Sequence, residues 1–247
     1  MKTKSIIISL LLIFNINICL AQKKYTLESP DKNIKIEVTA GKDLLTYSVM
    51  YGNSVIITDS PITMELSNGN VLGKNPVVKS YKHHSNDKLI KSDFYKKEYV
   101  EDYYNELTLS FRSNYNIIFR AYNDGIAYRF VNTNKKPFNV VNELVNYQFP
   151  TDATASVPYV KPRKNQNKYG TSFENYYENL PLSKVDQEKL VFLPLVVSLE
   201  NNVKVCITEV NLENYPGLFI TGQGNTQLLG EFAPYPKTYE HGGHNML

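Results

Sequence analysis

The 247-residue sequence contains no tryptophan, only two cysteines and no block of like charge, and these scarcities exclude several classes of protein. The formal net charge is only +3 and the lysines are scattered, so we expect no nucleic-acid partner. No long helical repeat follows the N-terminus, which excludes a helical bundle. We find no phosphate-cradling loop, nucleophile elbow or zinc-protease motif, and we assign no catalytic residue.

The first 21 residues have the pattern of a secretory signal peptide. Two lysines precede an apolar run over residues 6–14, and Ala21 stands before the expected cleavage position. The apolar run is too short to span a bilayer comfortably. We therefore expect residues 1–21 to be removed and residues 22–247 to be exported, to the periplasm or outside the cell, with no membrane contact after cleavage.

The cysteines allow no disulfide in the mature chain. A lipoprotein signal using Cys19 is disfavoured, because Ile18 stands where such a signal needs a small residue. Cleavage after Ala21 leaves Cys206 alone, so it has no partner within the chain. Cys206 alternates with aliphatic residues and is predicted to be an ordinary strand residue.

Short alternating segments bounded by turn residues recur along the mature chain and predict an all-β fold, a large antiparallel sandwich with few short helices. Hairpin turns are predicted at Gly52-Asn53, Asn68-Gly69 and Asn201-Asn202. One short helix is predicted in "LSKVDQEKL", capped by Ser183. Residues 150–181 read as one irregular region, and long loops of this kind often carry function.

The stretch "NIIFRAYNDGIAYRFV" predicts two strands around an Asp124-Gly125 turn. That register places Arg120 directly opposite Arg129, which is unfavourable without nearby anions or water. The preceding strand places Glu106 diagonal to Arg120. Two interpretations remain open: Glu106 compensates the arginines within a polar layer, or the face is solvated and carries only weak surface pairs.

The segment "YYNELTLSF", followed by "RAYNDGIAYRF", resembles the N-terminal domain of glycoside hydrolase family 97. Four further segments agree in order: "LESPDKNIKIEV", "TSFENYYENLPLSKV", "VKVCITEVNLENYPGLFI" and "FAPYPKTYEHGGHN". The resemblance covers residues 22–247. It implies a β super-sandwich similar to galactose-mutarotase-like domains, packed against a catalytic (β/α)8 barrel.

The same resemblance implies an exported, calcium-dependent, exo-acting α-glycosidase that acts on α-glucosides or α-galactosides. In the family the barrel carries the catalytic carboxylates, and the N-terminal domain lends one glutamate to a Ca²⁺ ion beside the sugar. Here that glutamate looks like Glu174, and Glu178 is the residue most easily confused with it. Because the barrel positions are absent, we expect a truncated product or an isolated domain that is not catalytic alone.

Two other functions stay open from the sequence. A stand-alone carbohydrate-binding module would use the tyrosines of "FENYYEN" and "DYYNE" for stacking, although the lack of tryptophan weakens this idea. A sugar epimerase rests only on the shared architecture and would need His83 or His84, which are predicted to lie on a surface loop. His241 and His244 could bind a metal, but two ligands at a chain end with glycines between them make a poor site.

Overall fold

The computed structural model describes residues 22–162, 164, 167–170 and 173–235, and these residues form an all-β sandwich. The expected signal peptide, His241 and His244 lie outside the described residues. The strands are β1 (Lys23–Glu28), β2 (Ile34–Ala40), β3 (Leu45–Tyr51), β4 (Ser54–Pro61), β5 (Thr63–Leu66), β6 (Val71–Leu72), β7 (Val78–Lys91), β8 (Tyr99–Phe111), β9 (Tyr115–Tyr122), β10 (Ile126–Asn132), β11 (Val140–Leu144), β12 (Asn146–Gln148), β13 (Thr154–Pro158), β14 (Tyr177–Pro181), β15 (Leu195–Ser198), β16 (Lys204–Ile207), β17 (Leu218–Gly222) and β18 (Gln227–Phe232).

The strands pair antiparallel in four sheets. The largest sheet has the order β1-β2-β3-β4-β12-β18-β17, and a second has the order β10-β9-β8-β7. A small sheet, β11-β5-β6, and a fourth, β14-β13-β15-β16, complete the domain. Val191 bridges to Tyr159 on one side and to Ile220 on the other, so it joins the fourth sheet to the largest one.

Strand alternation builds a continuous core between the sheets. β9 shows strict alternation of buried and half-buried residues, and Ile117, Phe119 and Ala121 are fully buried. The ring of Tyr47, on β3, lies 6.3 Å from the Phe119 ring, which brings the first and second sheets together. Each buried aromatic or aliphatic side chain of this size contributes about 1.5–3 kcal/mol. Among the described residues, no helix is long and apolar enough to cross a membrane.

The three predicted hairpin turns are confirmed. β3 and β4 flank Gly52-Asn53, and Gly52 has a φ of 55°, which glycine adopts without steric cost. β5 and β6 flank the turn that contains Asn68-Gly69, where Gly69 has a φ of 82°. β15 and β16 are joined across Asn201-Asn202, and Cys206 lies on β16 as a free, exposed strand residue.

Three local predictions are wrong. The predicted helix is only a 3-10 turn at Leu182–Lys184, and Ser183 does not cap it but donates its hydroxyl to Asp152. The region 150–181 is not wholly irregular, because β13 and β14 lie at its two ends. His83 and His84 are not on a loop: both lie on β7 and, as consecutive strand residues, point to opposite faces.

The predicted register of the arginine hairpin is also wrong, by two residues. Asn123-Asp124 forms the turn, and the Tyr122 N–H donates to the Gly125 carbonyl across 2.8 Å. Arg120 therefore lies opposite Ala127, and Arg129 lies opposite Ile118. A slip of two residues keeps every side chain on its predicted face, so the assignment of the core face survives.

The predicted compensation by Glu106 is confirmed for Arg120. Glu106 lies directly opposite Arg120 rather than diagonal to it, and Arg120 Nε donates to Glu106 Oε2 at 2.8 Å. The guanidinium carbon also lies 4.1 Å from the centroid of the Tyr104 ring. Beside this pair, Asn86 Nδ2 donates to the Asp102 carboxylate at 2.7 Å. Arg129 on the same face is exposed, and among the described residues no ion pair engages it, so Glu106 compensates Arg120 alone.

Candidate functional site

Glu174 lies in the connection between β13 and β14, three residues before β14 begins, and its side chain is exposed. Within the described part of the chain, no hydrogen bond or ion pair engages its carboxylate. A free carboxylate on a surface is ordinarily a solvated group. The question for function is whether the neighbouring residues hold this one in a fixed position.

The residue before Glu174 is anchored on a small aromatic cluster. The Phe173 ring lies 5.6 Å from the rings of both Phe192 and Phe219. These two phenylalanines are buried together with Val160 and Leu190 in a cluster separate from the main core. The cluster packs one flank of the Glu174 segment onto β17 and the segment before β15.

The residue after Glu174 is anchored by a hydrogen bond. Asn175 Nδ2 donates to the carbonyl of Tyr159 at 2.9 Å, and the amide N–H of Tyr176 donates to Asn175 Oδ1 at 2.9 Å. Tyr159 is itself fixed, because its backbone bridges to Val191 and its hydroxyl accepts the amide N–H of Asp186. Glu174 is therefore an exposed carboxylate between two anchored neighbours.

A second carboxylate, Glu231 on β18, belongs to the same side of the domain but is already engaged. Lys168 Nζ donates to Glu231 at 2.6 Å, and the Tyr169 hydroxyl also donates to it. Burial opposes ionisation of Glu231, but these two hydrogen bonds outweigh it and hold the pKa of the carboxyl below its ordinary value. Glu231 is thus an ionised structural anchor for the loop that carries Tyr169, whose ring lies 5.6 Å from the Phe219 ring.

Glu178, the residue most easily confused with Glu174, occupies a different setting. It lies on β14 opposite Val157, where backbone pairing fixes its direction, and it is exposed. Glu174 lies in the loop before β14, where no strand pairing fixes its direction. The structure does not bring the two glutamates into a common site.

A calcium ion needs six to eight oxygen ligands. Within the described ranges, no group of three or more His, Cys, Asp or Glu side chains could hold a metal ion. A single free carboxylate such as Glu174 fits the role of one ligand in a shared shell, and does not fit a complete site.

Two half-buried glutamates elsewhere have raised pKa values, and both are used by the fold. Burial raises the pKa of Glu143, although the Tyr215 hydroxyl donates to its carboxylate. Burial also raises the pKa of Glu209, whose oxygens accept the Leu218 N–H at 3.0 and 3.1 Å. Carboxyl groups with shifted pKa values often mark active sites, but the hydrogen bonds of these two hold the loop before β17 against the sandwich.

The family model described as glycosyl-hydrolase 97 N-terminal matches residues 27–240. The chain belongs to this family. This glycosyl-hydrolase 97 N-terminal domain is 50% identical over 231 residues to a retaining α-galactosidase from Bacteroides thetaiotaomicron. The aligned part covers 92% of this chain and 35% of the relative, so the chain spans about a third of the length of that curated protein.

Solved structures show the same fold for this glycosyl-hydrolase 97 N-terminal domain. A glycoside hydrolase family 97 enzyme from Pseudoalteromonas sp. strain K8, in complex with acarbose, has a TM-score of 0.71 and 21% identity, over 85% of this chain and 32% of that chain. A β-arabinopyranosidase has a TM-score of 0.76 and 19% identity, over 87% of this chain and 36% of that chain. The predicted all-β sandwich and the predicted family are both confirmed.

Sequence reasoning missed the residues that support Glu174. Phe192 and Phe219 were visible only as members of short apolar segments, which predict strands and not their partners. Asn175 stands beside Glu174 in the quoted motif, but nothing in its spacing indicates that it reaches the carbonyl of Tyr159. These contacts join residues that are far apart in the chain.

Proposed function

We propose that this chain is the N-terminal domain of an exported, calcium-dependent, exo-acting α-glycosidase. In this proposal it packs against a catalytic (β/α)8 barrel, closes one side of the sugar pocket and lends Glu174 to a shared Ca²⁺ ion. The chain supplies no catalytic carboxylate of its own. The observation that carries the proposal is the free Glu174 carboxylate, held between Phe173 and Asn175.

The anchoring of Glu174 supports a ligand role over an ordinary surface role. A metal ligand must be held near its working position before the metal arrives, since ordering a flexible loop costs conformational entropy. The contacts of Phe173 and Asn175 restrict that freedom on both sides of Glu174, and the carboxylate itself stays exposed. Calcium, when bound, would supply positive charge beside the sugar.

The sugar we propose is an α-galactoside rather than an α-glucoside. The support is the Bacteroides thetaiotaomicron relative, a retaining α-galactosidase that shares 50% of aligned residues with this chain. This domain would contribute only part of the pocket, so the choice of sugar also depends on a barrel of matching specificity. Export rests on the signal-peptide pattern of residues 1–21.

A chimera tests the proposal directly. Residues 22–247 of this chain would replace the matching N-terminal part of the Bacteroides thetaiotaomicron relative. Activity on p-nitrophenyl α-galactopyranoside and on the glucoside would be measured across a calcium titration after EDTA treatment. For Glu174→Gln, we expect the calcium concentration at half-maximal activity to rise at least about tenfold, because the variant loses a charged ligand.

The matched control is Glu178→Gln, which removes the same charge four residues away and should leave the calcium titration unchanged. If the Glu174→Gln chimera and the unchanged chimera had equal calcium titrations, Glu174 would not be a calcium ligand. A chimera whose activity is unchanged by EDTA treatment would overturn the calcium proposal. A preference for the glucoside would overturn the choice of sugar.

A stand-alone carbohydrate-binding module is the second candidate, and one observation favours it. Tyr176 is 91% exposed, and Phe173 and Tyr177 are exposed beside it, so three aromatic rings lie near Glu174 on the surface. Exposed rings of this kind can stack on sugar. Retention of the purified chain on immobilised galactosides, lost in Tyr176→Ala, would support this function. Failure of the chain to bind any glycan would end it.

A further inference from the structure

Three loops at one end of the sandwich form a cavity of about 680 Å³ that is open to solvent, and the asparagines and lysines that line it are exposed. The loops join β5 to β6, β8 to β9 and β10 to β11. None of the residues that line the cavity belongs to the Glu174 segment. Binding pockets for small organic ligands have volumes of about 300–1,000 Å³, so this cavity is large enough for a short saccharide.

Hydrogen bonds between the loops hold the cavity in shape. The Ser67 N–H donates to the Asn139 carbonyl at 2.9 Å, and the Thr133 N–H donates to the Asn114 carbonyl at 3.2 Å. Below them, the hydroxyl of buried Tyr115 accepts the Gly73 N–H at 3.0 Å. The three loops are thus tied to one another and to the sheet below.

The lining combines an apolar floor with amide walls. Leu66 and Leu72 are buried beneath the cavity. Asn70, Asn114 and Asn134 line its walls, and within the described chain no hydrogen bond engages their side-chain amides. An amide both donates and accepts, which matches the paired donor and acceptor character of sugar hydroxyls.

The charge of the lining is entirely positive. Lys135 and Lys136 lie at the cavity, and no aspartate or glutamate is among the described residues that line it. No ion pair engages either ammonium group within the described ranges. Two unpaired cations above neutral amides favour a ligand that carries negative charge.

We propose that this cavity, formed by the loops around Asn70, Asn114 and Lys135-Lys136, binds a short saccharide that bears a carboxylate. The amides bond the ring hydroxyls, the half-buried side chain of Phe138 contacts a ring face, and the two lysines pair with the acidic group. This site is independent of the Glu174 proposal, since it shares no residue with that segment.

Isothermal titration calorimetry on the purified chain tests the proposal with three probes. A trimer of α-1,4-linked galacturonic acid should bind saturably, and the neutral galactotriose of the same linkage should bind at least about tenfold more weakly, because it lacks the charge-assisted hydrogen bonds. Inorganic sulfate should give no saturable binding. Raising the salt concentration should weaken binding of the acidic trimer more than binding of the neutral one.

Two variants separate the roles of charge and amide. Lys135→Gln with Lys136→Gln should reduce the affinity for the acidic trimer to that for the neutral trimer. Asn114→Gly should weaken both trimers about fivefold through loss of a hydrogen bond. Asn114 has a φ of 59°, a conformation that glycine adopts freely, so this substitution removes the amide without straining the turn.

The chain offers a matched control for each variant. Lys96→Gln with Lys97→Gln removes two adjacent exposed lysines from the tip of the β7–β8 hairpin. Asn201→Gly removes an asparagine with a φ of 56° from another turn. Both controls should bind as the unchanged chain does, and urea midpoints would verify that every variant folds.

Several results would overturn the proposal. Equal affinity for the acidic and neutral trimers would show that binding does not require the carboxylates. Undiminished binding by the double lysine variant would show that Lys135 and Lys136 do not bind the acidic group. Saturable sulfate binding of equal strength would identify an anion site rather than a saccharide site. Absence of saturable binding by the acidic trimer would leave the cavity without the proposed ligand.

Discussion

The ion pair between Glu106 and Arg120 should stabilise the folded chain by about 1.5 kcal/mol. Exposed pairs contribute about 0–1 kcal/mol, and hydrogen bonds to charged groups about 1.5–3 kcal/mol. Here the Nε–Oε2 distance is 2.8 Å, with the Glu106 side chain 14% exposed and the Arg120 side chain 33% exposed. This partial burial places the pair between the two classes.

A double-mutant cycle measures this interaction. Glu106→Gln keeps the shape of the carboxylate, and Arg120→Met keeps the aliphatic stem beside Tyr104. Urea unfolding of the unchanged chain, both single variants and the double variant should give a coupling free energy of about 1.5 kcal/mol, with part of it lost at high salt.

The pair between Lys24 and Glu37 is the matched control. Its Nζ–Oε1 distance is 2.6 Å, shorter than the distance in the first pair, but its side chains are 56% and 34% exposed. If burial decides the energy, the same cycle at this pair should give a clearly smaller coupling free energy. Equal coupling in the two cycles, or a Glu106–Arg120 coupling near zero, would refute the reasoning.

Two further predictions concern packing and burial, and urea unfolding tests both. Gly222→Ala should destabilise the fold by about 3 kcal/mol, because the added Cβ would lie 2.0 Å from the Val185 carbonyl oxygen, whereas Gly125→Ala, with open space around it, should be nearly neutral. Burial raises the pKa of Glu143 above the ordinary value of 4.5, despite the hydrogen bond from Tyr215. The unfolded chain therefore releases this proton first, and stability falls as the pH rises from about 4.5 through the folded-state pKa. Glu143→Gln should abolish that decline, so a parallel pH profile for both chains would contradict the assignment.

The sequence predicted which residues face the core better than it predicted which residues pair. Alternation in β9 assigns Ile117 and Phe119 to the core whatever the register, because the pattern repeats every two residues. For the same reason, the alternation cannot reveal a shift of two residues in the pairing of β9 with β10. The turn signal at Asp124-Gly125 predicted the wrong one of these registers. Registers that differ by two residues are distinguished only by contacts in the folded sandwich, such as the pairing of Glu106 with Arg120.

The helix prediction at Ser183 failed for a tertiary reason. Ser183 was expected to cap a helix, but its N–H and hydroxyl both bond the Asp152 carboxylate. Beyond this turn, the carbonyl of Asp186 accepts the Gly222 N–H. Contacts with residues about 30 positions away therefore hold the segment extended, and local propensity does not contain that information.

Glu174 could be named only through the family resemblance, since composition and spacing mark it as a solvated loop residue. The support that Phe173 and Asn175 provide depends on partners at positions 192, 219 and 159. The cavity proposed to bind a saccharide was equally invisible in the sequence, because it forms where three separate loops meet.

The strand order of the largest sheet has a consequence for synthesis on the ribosome. β12 pairs with β4 and with β18, so this sheet cannot close before residue 232 has been made. The second sheet is contiguous from residue 78 to residue 132 and can pair its strands much earlier. For that interval, β1 to β3 can already pack on the second sheet, as the contact between Tyr47 and Phe119 shows, but the edge of β4 has no strand beside it. Until β12 and the β17–β18 hairpin join this edge, it offers unpaired backbone groups to another chain.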